Sequence, residues 1–421
     1  MPTVGIIAEY NPLHNGHVHH FREAKRLSGA DRAVVVMSGP FTQRGEPALI
    51  SKRARTEMAL RMGADLVLEL PVGYALQPAE WFAYGSAALL EASGVVDSLI
   101  FGSEAGSLSE LLPLSRLLAD ESSLLQGELR RRLALGEPFP AAYSAAAALA
   151  FRREDEGAPE TDAASPGLSG EAAESLLRGP NNSLGLHYLI ALRRLGSGIQ
   201  PLTVPRLGAG FHDPAAPGTT IASATAIRGL LQEGSSPADY MPDYALAILR
   251  REREAGRGPL DWDSFRGTLL HLLLTTSPEE LSLLQGVDEG LEYRLAKVLA
   301  GLEVFSVGGL LAGLKSKRYT YTRLQRMLAH ILLGHRKEEY APDKLAQGPG
   351  YIRVLGFRSS GRELLKQMKR KASLPVVTSP SRLQHPQLSR DIQAASAYAA
   401  AFASPVRRDL YADYLQPPVM I

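Results

Sequence analysis

Two imidazoles three positions apart, His14 and His17, flank Asn15 and Gly16 within the stretch VGIIAEYNPLHNGHVHHFREAKR, residues 4–26. Imidazoles can donate hydrogen bonds to phosphate oxygens as charge builds during a displacement at phosphorus. A glycine between them lets a bound group approach the backbone closely, because it carries no Cβ. The flanking pattern suits an anion site. An apolar run of strand character (Val4, Gly5, Ile6, Ile7, Ala8) breaks at Asn11 and Pro12, and helical spacing resumes through Val18, Phe21, Ala24 and Leu27. A helix starting there aims unpaired N–H groups and its positive dipole end at a ligand. The stretch therefore reads as a nucleotide site. Two other readings compete, since His14, His17, His19 and His20 could hold zinc or serve structure alone. Zinc usually takes four ligands, often thiolates. The chain has no Cys and no carboxylate at an obvious ligand spacing, so no residue is assigned to a metal.

Positioning such a site calls for a sheet. Further strand-like runs lie at residues 33–37, 65–70, 98–102 and 202–204, with helical patterns between them at 51–62, 80–92 and 107–135. This alternation predicts an α/β fold, a doubly wound parallel sheet with its site at the strand C-termini. Residues 41–48, polar and broken by Gly and Pro, follow a strand end; they read either as a ligand loop or as plain surface. Gly102 closes another strand, and Asn181 and Asn182 precede a helix that one of them can cap. Arg206 just beyond a strand end is a phosphate clamp or a surface ion pair. Ser223 or Thr225 starts a helix carrying Arg228, again where an anion would bind.

At 421 residues the chain exceeds the size at which one core stays single, which predicts two domains. The expected division is a catalytic domain over 1–232 and a mainly helical domain over 233–421. Within the first, residues 154–170 turn acidic and rich in Ala, Pro, Gly and Ser, and read as a mobile insertion. A net charge of +2 is too mild to establish a polyanion partner by itself. Zero Cys excludes disulfides and a thiol nucleophile. No signal segment and no membrane-length apolar run is evident, so a cytoplasmic protein is expected. Nothing in the sequence fixes an oligomeric state.

Past residue 232 strand-like runs fade and Leu-rich helical faces take over. KSKRYTYTRLQR, residues 315–326, mixes cations with Tyr, and a second basic run spans 366–371 after Arg362. Such clusters suit an RNA backbone and stacked bases, or form a solvated helix face. The candidates for RNA contact are Lys315, Lys317, Arg318, Arg323 and Arg326.

The series GIIAEYNPLHNGHVHH, MSGPFTQRGEPA, DLVLELPV, PAEWFAYGS, LIFGSE, PNNSLGLHY, RLGAGFHD and SATAIR resembles, in order, the bacterial tRNA(Met) cytidine acetate ligase family. The likeness covers nearly the whole N-terminal domain and continues more weakly into the helical part. HxGH alone would indicate only the broader HxGH nucleotidyltransferase superfamily. The resemblance implies that ATP and acetate give an acetyl-adenylate and pyrophosphate. The acetyl group then passes to N4 of the wobble cytidine of elongator tRNA(Met). It also implies Mg²⁺ with the ATP, although no protein ligand for it can be named. The family's ATP-binding stretch falls on Ile7, Ala8, Glu9, Tyr10, Asn11, Pro12, Leu13, His14, Asn15, Gly16, His17, Val18, His19 and His20. Its further nucleotide contacts fall on Gly102, Asn181 and Arg206. His14 and His17 are the expected catalytic donors, with Arg206 and Arg228 on phosphates. Rival readings are a small-molecule adenylyltransferase of the HxGH superfamily, which would need no basic helical domain, and a non-catalytic RNA-binding protein.

Overall fold

The computed structural model describes residues 1–120, 123–137, 139–157, 175–177, 179–205 and 220–421. Five parallel strands form the centre: β1 (Thr3–Ala8), β2 (Arg32–Ser38), β3 (Leu66–Leu70), β4 (Ser98–Ser103) and β5 (Gln200–Pro205). Their spatial order is β5-β4-β1-β2-β3, so the order reverses between β1 and β4. Ile6 of β1 lies level with Val35 of β2 on one side and Ile100 of β4 on the other.

Both faces of this sheet are covered, which is why its strands read as unbroken apolar runs. Val35 and Met37 face the helices α1 (Asn15–Ser28) and α2 (Lys52–Met62). Val34 and Val36 face the other way, toward α3 (Ala79–Ser93), α4 (Leu108–Ala119) and, after α5 (Ser123–Ala134) and α6 (Phe139–Gly157), α7 (Pro180–Arg194). The period-2 alternation of one strand thus serves two cores. Helix α6 runs through residues 154–157, placed in the insertion on composition, and 158–170 lie outside the described residues.

After α8 (Ala224–Gln232) come α9 (Asp243–Glu254), α10 (Arg266–Thr275), α11 (Leu291–Ala300), α12 (Val307–Leu314) and α13 (Tyr321–Leu333). Helices α10 to α13 close around a third core that includes Phe265, Leu269, Leu310 and Leu328. The chain then returns to the sheet, unlike the fading of strands expected past residue 232. β6 (Ile352–Phe357) pairs antiparallel with β3, Glu69 beside Arg353. β7 (Val376–Val377) and β8 (Val419–Met420) each pair with β6. The basic run at 366–371 sits on α14 (Gly361–Lys371), which packs Leu364 and Met368 into the sheet core rather than the helical one. Helix α15 (Pro386–Ala399) bridges back, its Tyr398 hydroxyl donating to the Ala48 carbonyl at 2.6 Å. No helix among the described residues is long and apolar enough to cross a membrane.

Candidate active site

A cleft of about 540 Å³ opens where the strand order reverses, at the C-terminal ends of β1, β4 and β5. Open α/β sheets bind ligands at such a point. Ile7, Ala8, Glu9, Tyr10 and Asn11 line it, as do His14, Gly16, His17, His19 and His20. Gly102, Asn181 and Arg228 join them from elsewhere in the chain. Of the remaining residues in the expected stretch, Leu13 is fully buried in the core beneath, and Asn15 ties α1 to the carbonyls of Thr220 and Asp239. Pro12 and Val18 are not among the lining side chains. Arg206 lies outside the described residues.

The two histidines are fixed by the backbone they cap. His14 is the N-cap of α1, and its Nδ1 accepts the Gly16 N–H at 3.1 Å. Reciprocally, His17 Nδ1 accepts the His14 N–H at 3.3 Å. This is a capping box made with imidazoles in place of the usual hydroxyl and carboxylate. A neutral imidazole that accepts at Nδ1 carries its proton at Nε2. Both rings stand at the mouth of the cleft, 3.8 Å apart between centroids. Gly16 proves necessary for a reason different from ligand approach: a Cβ there would stand 2.9 Å from the His14 ring. Tyr10, at a left-handed φ of 47°, sets its ring edge-on to His17 with centroids 5.0 Å apart.

Arg55 holds the strand ends that carry these groups. It is fully buried, and its guanidinium donates to the carbonyls of Glu9 at 2.8 Å, Ser38 at 3.0 Å and Ile50 at 3.2 Å, and to that of Gly39. The helical pattern at 51–62 does not by itself single it out. Its place at i+4 from the cap Ser51, inside an otherwise apolar stripe, is the signal that was available.

Residues 41–48 form an ordered hairpin. Phe41 pairs with Pro47, Thr42 N–H donates to the Glu46 carbonyl at 2.9 Å, and Phe41 is buried against Phe265. Gly45, at φ 82°, leaves no room for a Cβ because the backbone of Arg326 abuts it. The hairpin brings Thr42, Gln43, Arg44 and Glu46 to the cleft. Of these, Arg44 is a cation that sequence reasoning did not single out. Glu46 binds Arg228 at 3.0 Å, and Arg228 also donates to the Asn11 carbonyl at 2.9 Å. Glu9 accepts the Gln43 N–H at 2.7 Å, and burial pushes its carboxyl above the usual range.

On the opposite wall Glu104 caps α7. Its carboxylate takes N–H groups from Asn181 at 3.1 Å and Asn182 at 2.6 Å, plus the Asn181 side chain at 2.5 Å. Burial pushes this carboxyl up, but those bonds outweigh it and hold it below its ordinary value. Neither asparagine is the cap that one of them could have supplied: the N-cap is Gly179, with no side-chain cap bond. Asn182 is buried and accepts the Ala105 N–H at 3.0 Å, while Asn181 lines the cleft.

Each carboxylate near the cleft is thus engaged by an N–H group or a guanidinium. Among the described residues no three His, Asp or Glu gather as a metal site. The protein groups present do not form a Mg²⁺ cage, and the ion's usual partners are phosphate oxygens and water.

The cations expected to meet RNA separate. Arg318 pairs with Glu289 at 2.5 Å, Arg323 lies over the Tyr319 ring at 4.8 Å, and Lys315 lies 5.8 Å from the Tyr321 ring centre. Lys317 is exposed beside them. Arg326 turns inward and donates to the Gln43 carbonyl at 3.2 Å.

A sheet reversing at β1 and β4, with an imidazole-capped helix facing the cleft, defines a nucleotidyl transferase fold. The chain matches the HIGH Nucleotidyl Transferase family over residues 1–412. Among solved structures it is similar to Thermotoga maritima TmcAL bound with alpha-thio ATP, with 33% identity and a TM-score of 0.87. The apo form of that protein gives 34% and 0.90, and both comparisons cover 100% of each chain. Proteins named tRNA(Met) cytidine acetate ligase are similar along their lengths. That of Halothermothrix orenii is 36% identical over 100% of this chain and 99% of its own. That of Halalkalibacterium halodurans is 37% identical over 100% and 98%. The chain belongs to the tRNA(Met) cytidine acetate ligase family.

Proposed function

We propose that this protein is an ATP-dependent ligase that joins acetate to N4 of the wobble cytidine of elongator tRNA(Met). An acetate oxygen attacks the α-phosphorus, the bond to the bridging oxygen breaks, and pyrophosphate leaves. Cytidine N4 then attacks the acetyl carbon, AMP leaves, and N4 gives up a proton. The first barrier is charge on phosphate oxygens, which fixed donors lower without a covalent nucleophile. His14 and His17 supply such donors, held at the cleft mouth by their reciprocal cap bonds. That geometry is the observation that carries the reading. Arg228 and Arg44 hold phosphates, Gly102 and Asn181 face the nucleotide from the other wall, and Arg206 is a further phosphate contact in this reading. The hairpin at 41–48 shields the adenylate from water.

Lys315, Lys317, Arg318 and Arg323 form the RNA contact in this reading, since they share one end of the helical layer with Tyr319 and Tyr321. Arg326 instead joins that layer to the hairpin. The test is nucleoside mass spectrometry of tRNA incubated with the protein, ATP and isotopically labelled acetate. Labelled N4-acetylcytidine is expected. Pyrophosphate release without label in RNA would point to another acceptor, and no pyrophosphate would remove the ligase reading.

A further inference from the structure

A second cleft, of about 460 Å³, lies among α2, β6, α9 and the C-terminal tail, and shares no lining residue with the first. Arg353 is buried at 4% exposure and forms part of its wall. Arg353 Nη2 stands 3.4 Å from the Asp413 carbonyl and 3.7 Å from its carboxylate, whereas Nη1 has no hydrogen-bond partner. A buried guanidinium nitrogen left in that state is costly unless something meets it.

The carboxylates of this cleft are committed elsewhere. Asp413 also holds Lys52 at 2.8 Å, Glu252 binds Arg257 and Arg251, and Glu57 binds Arg251 at 2.7 Å. Asp409 accepts the Val406 N–H at 3.2 Å. Two arginines make no ion pair at contact distance among the described residues. Arg53 donates only to the Pro417 carbonyl at 2.7 Å, and Arg408 is exposed at the rim. Burial holds the Arg53 guanidinium below its ordinary value, the nearness of Arg408 and Arg251 lowers it further, and Glu57 offsets this in part. Three guanidinium groups thus converge on one cavity with unspent donor capacity.

We propose that this cleft binds a small phosphomonoester, with Arg353 in its wall and Arg53 and Arg408 closing over its oxygens. Guanidinium matches phosphate oxygens in a planar, two-bonded fashion, so arginines rather than lysines are the apt residues. The volume falls in the usual range for small-molecule sites, about 300–1,000 Å³. A free phosphate end, with its oxygens unhindered, can enter a cleft walled by Arg353. A backbone diester, flanked on both sides, is held at exposed cations.

Calorimetric titration of glycerol 3-phosphate into the full chain tests this. One saturable site is expected, weakened about tenfold in Arg53→Gln and again in Arg408→Gln. Arg353→Met removes a cation of the wall but strips Asp413 of a partner, so the two rim variants carry the test if it does not fold. Absence of saturation, or saturation unchanged in both rim variants, would overturn the proposal. So would rim variants that lose tRNA affinity while no phosphomonoester site is found, since that result assigns the cleft to RNA backbone.

Discussion

The nucleotide cleft and the basic end of α12 and α13 both offer cations and rings, yet they hold them differently. In and beside the cleft four side chains are fixed by main chain: His14 and His17 through Nδ1, Glu9 by the Gln43 N–H, Glu104 by two N–H groups. Arg55 behind them is held by four carbonyls. On the helices, Arg318 and Arg323 instead share one exposed carboxylate, Glu289, at 2.5 and 3.8 Å. Groups preset by backbone need no reorganisation as charge develops, which suits chemistry. Long side chains that share a screened ion pair adapt to a curved polyanion at little cost.

The largest effect should come from the preset pair. His14→Ala or His17→Ala is expected to cut acetyl-adenylate formation at least about 100-fold, read by pyrophosphate exchange, with the fold retained. Normal exchange in either variant would remove the catalytic assignment. Next, Arg55→Met leaves four buried carbonyls without their donor and should cost more than about 3 kcal/mol in chemical denaturation. An unchanged midpoint would mean that the strand ends do not depend on it.

A third test addresses the joint between the two regions. His330 of α13 and His335 meet Nδ1 to Nδ1 at 3.0 Å. Burial holds both below the ordinary 6.5, His330 down to about 3. Between those values the unfolded chain binds protons that the folded chain does not, so stability is full above pH 6.5 and falls as pH drops through the window. The slope is up to about 1.4 kcal/mol per pH unit for each group. Melting temperatures that stay level from pH 7 to pH 5 would contradict the buried neutral pair. The smallest effect belongs to the exposed cations. Lys317→Glu with Arg318→Glu should weaken tRNA binding about tenfold, reduce its salt slope by about 2, and leave ATP binding alone. An unchanged salt slope would move the RNA seat elsewhere.

The sequence carried much of this architecture, and its failures have physical causes. β1 to β4 were legible because strands buried on both faces read as apolar runs, and α2 because Ser51 is an ordinary cap. β6 was not, since Arg353 and Gly356 interrupt a short run whose partner β3 lies far away in sequence. The HxGH element was legible as a helix start facing a cleft, but its imidazole capping was not, because His is not a habitual N-cap. Glu104 escaped for a related reason: a carboxylate can cap a helix that begins many residues later, and only the fold brings them together.

The pairing of Leu66 with Phe357 has a further consequence for biosynthesis. As the chain leaves the ribosome, β1, β2 and β3 are complete while β3 still presents an open hydrogen-bonding edge. That edge stays uncovered until the whole helical layer has been made and β6 arrives. An unpaired edge is a template for wrong association, and proteins translated from the N-terminus expose it for the time that this stretch takes to synthesise. Closing the sheet is therefore a late act of translation, and the helical layer has to fold beside an unfinished neighbour.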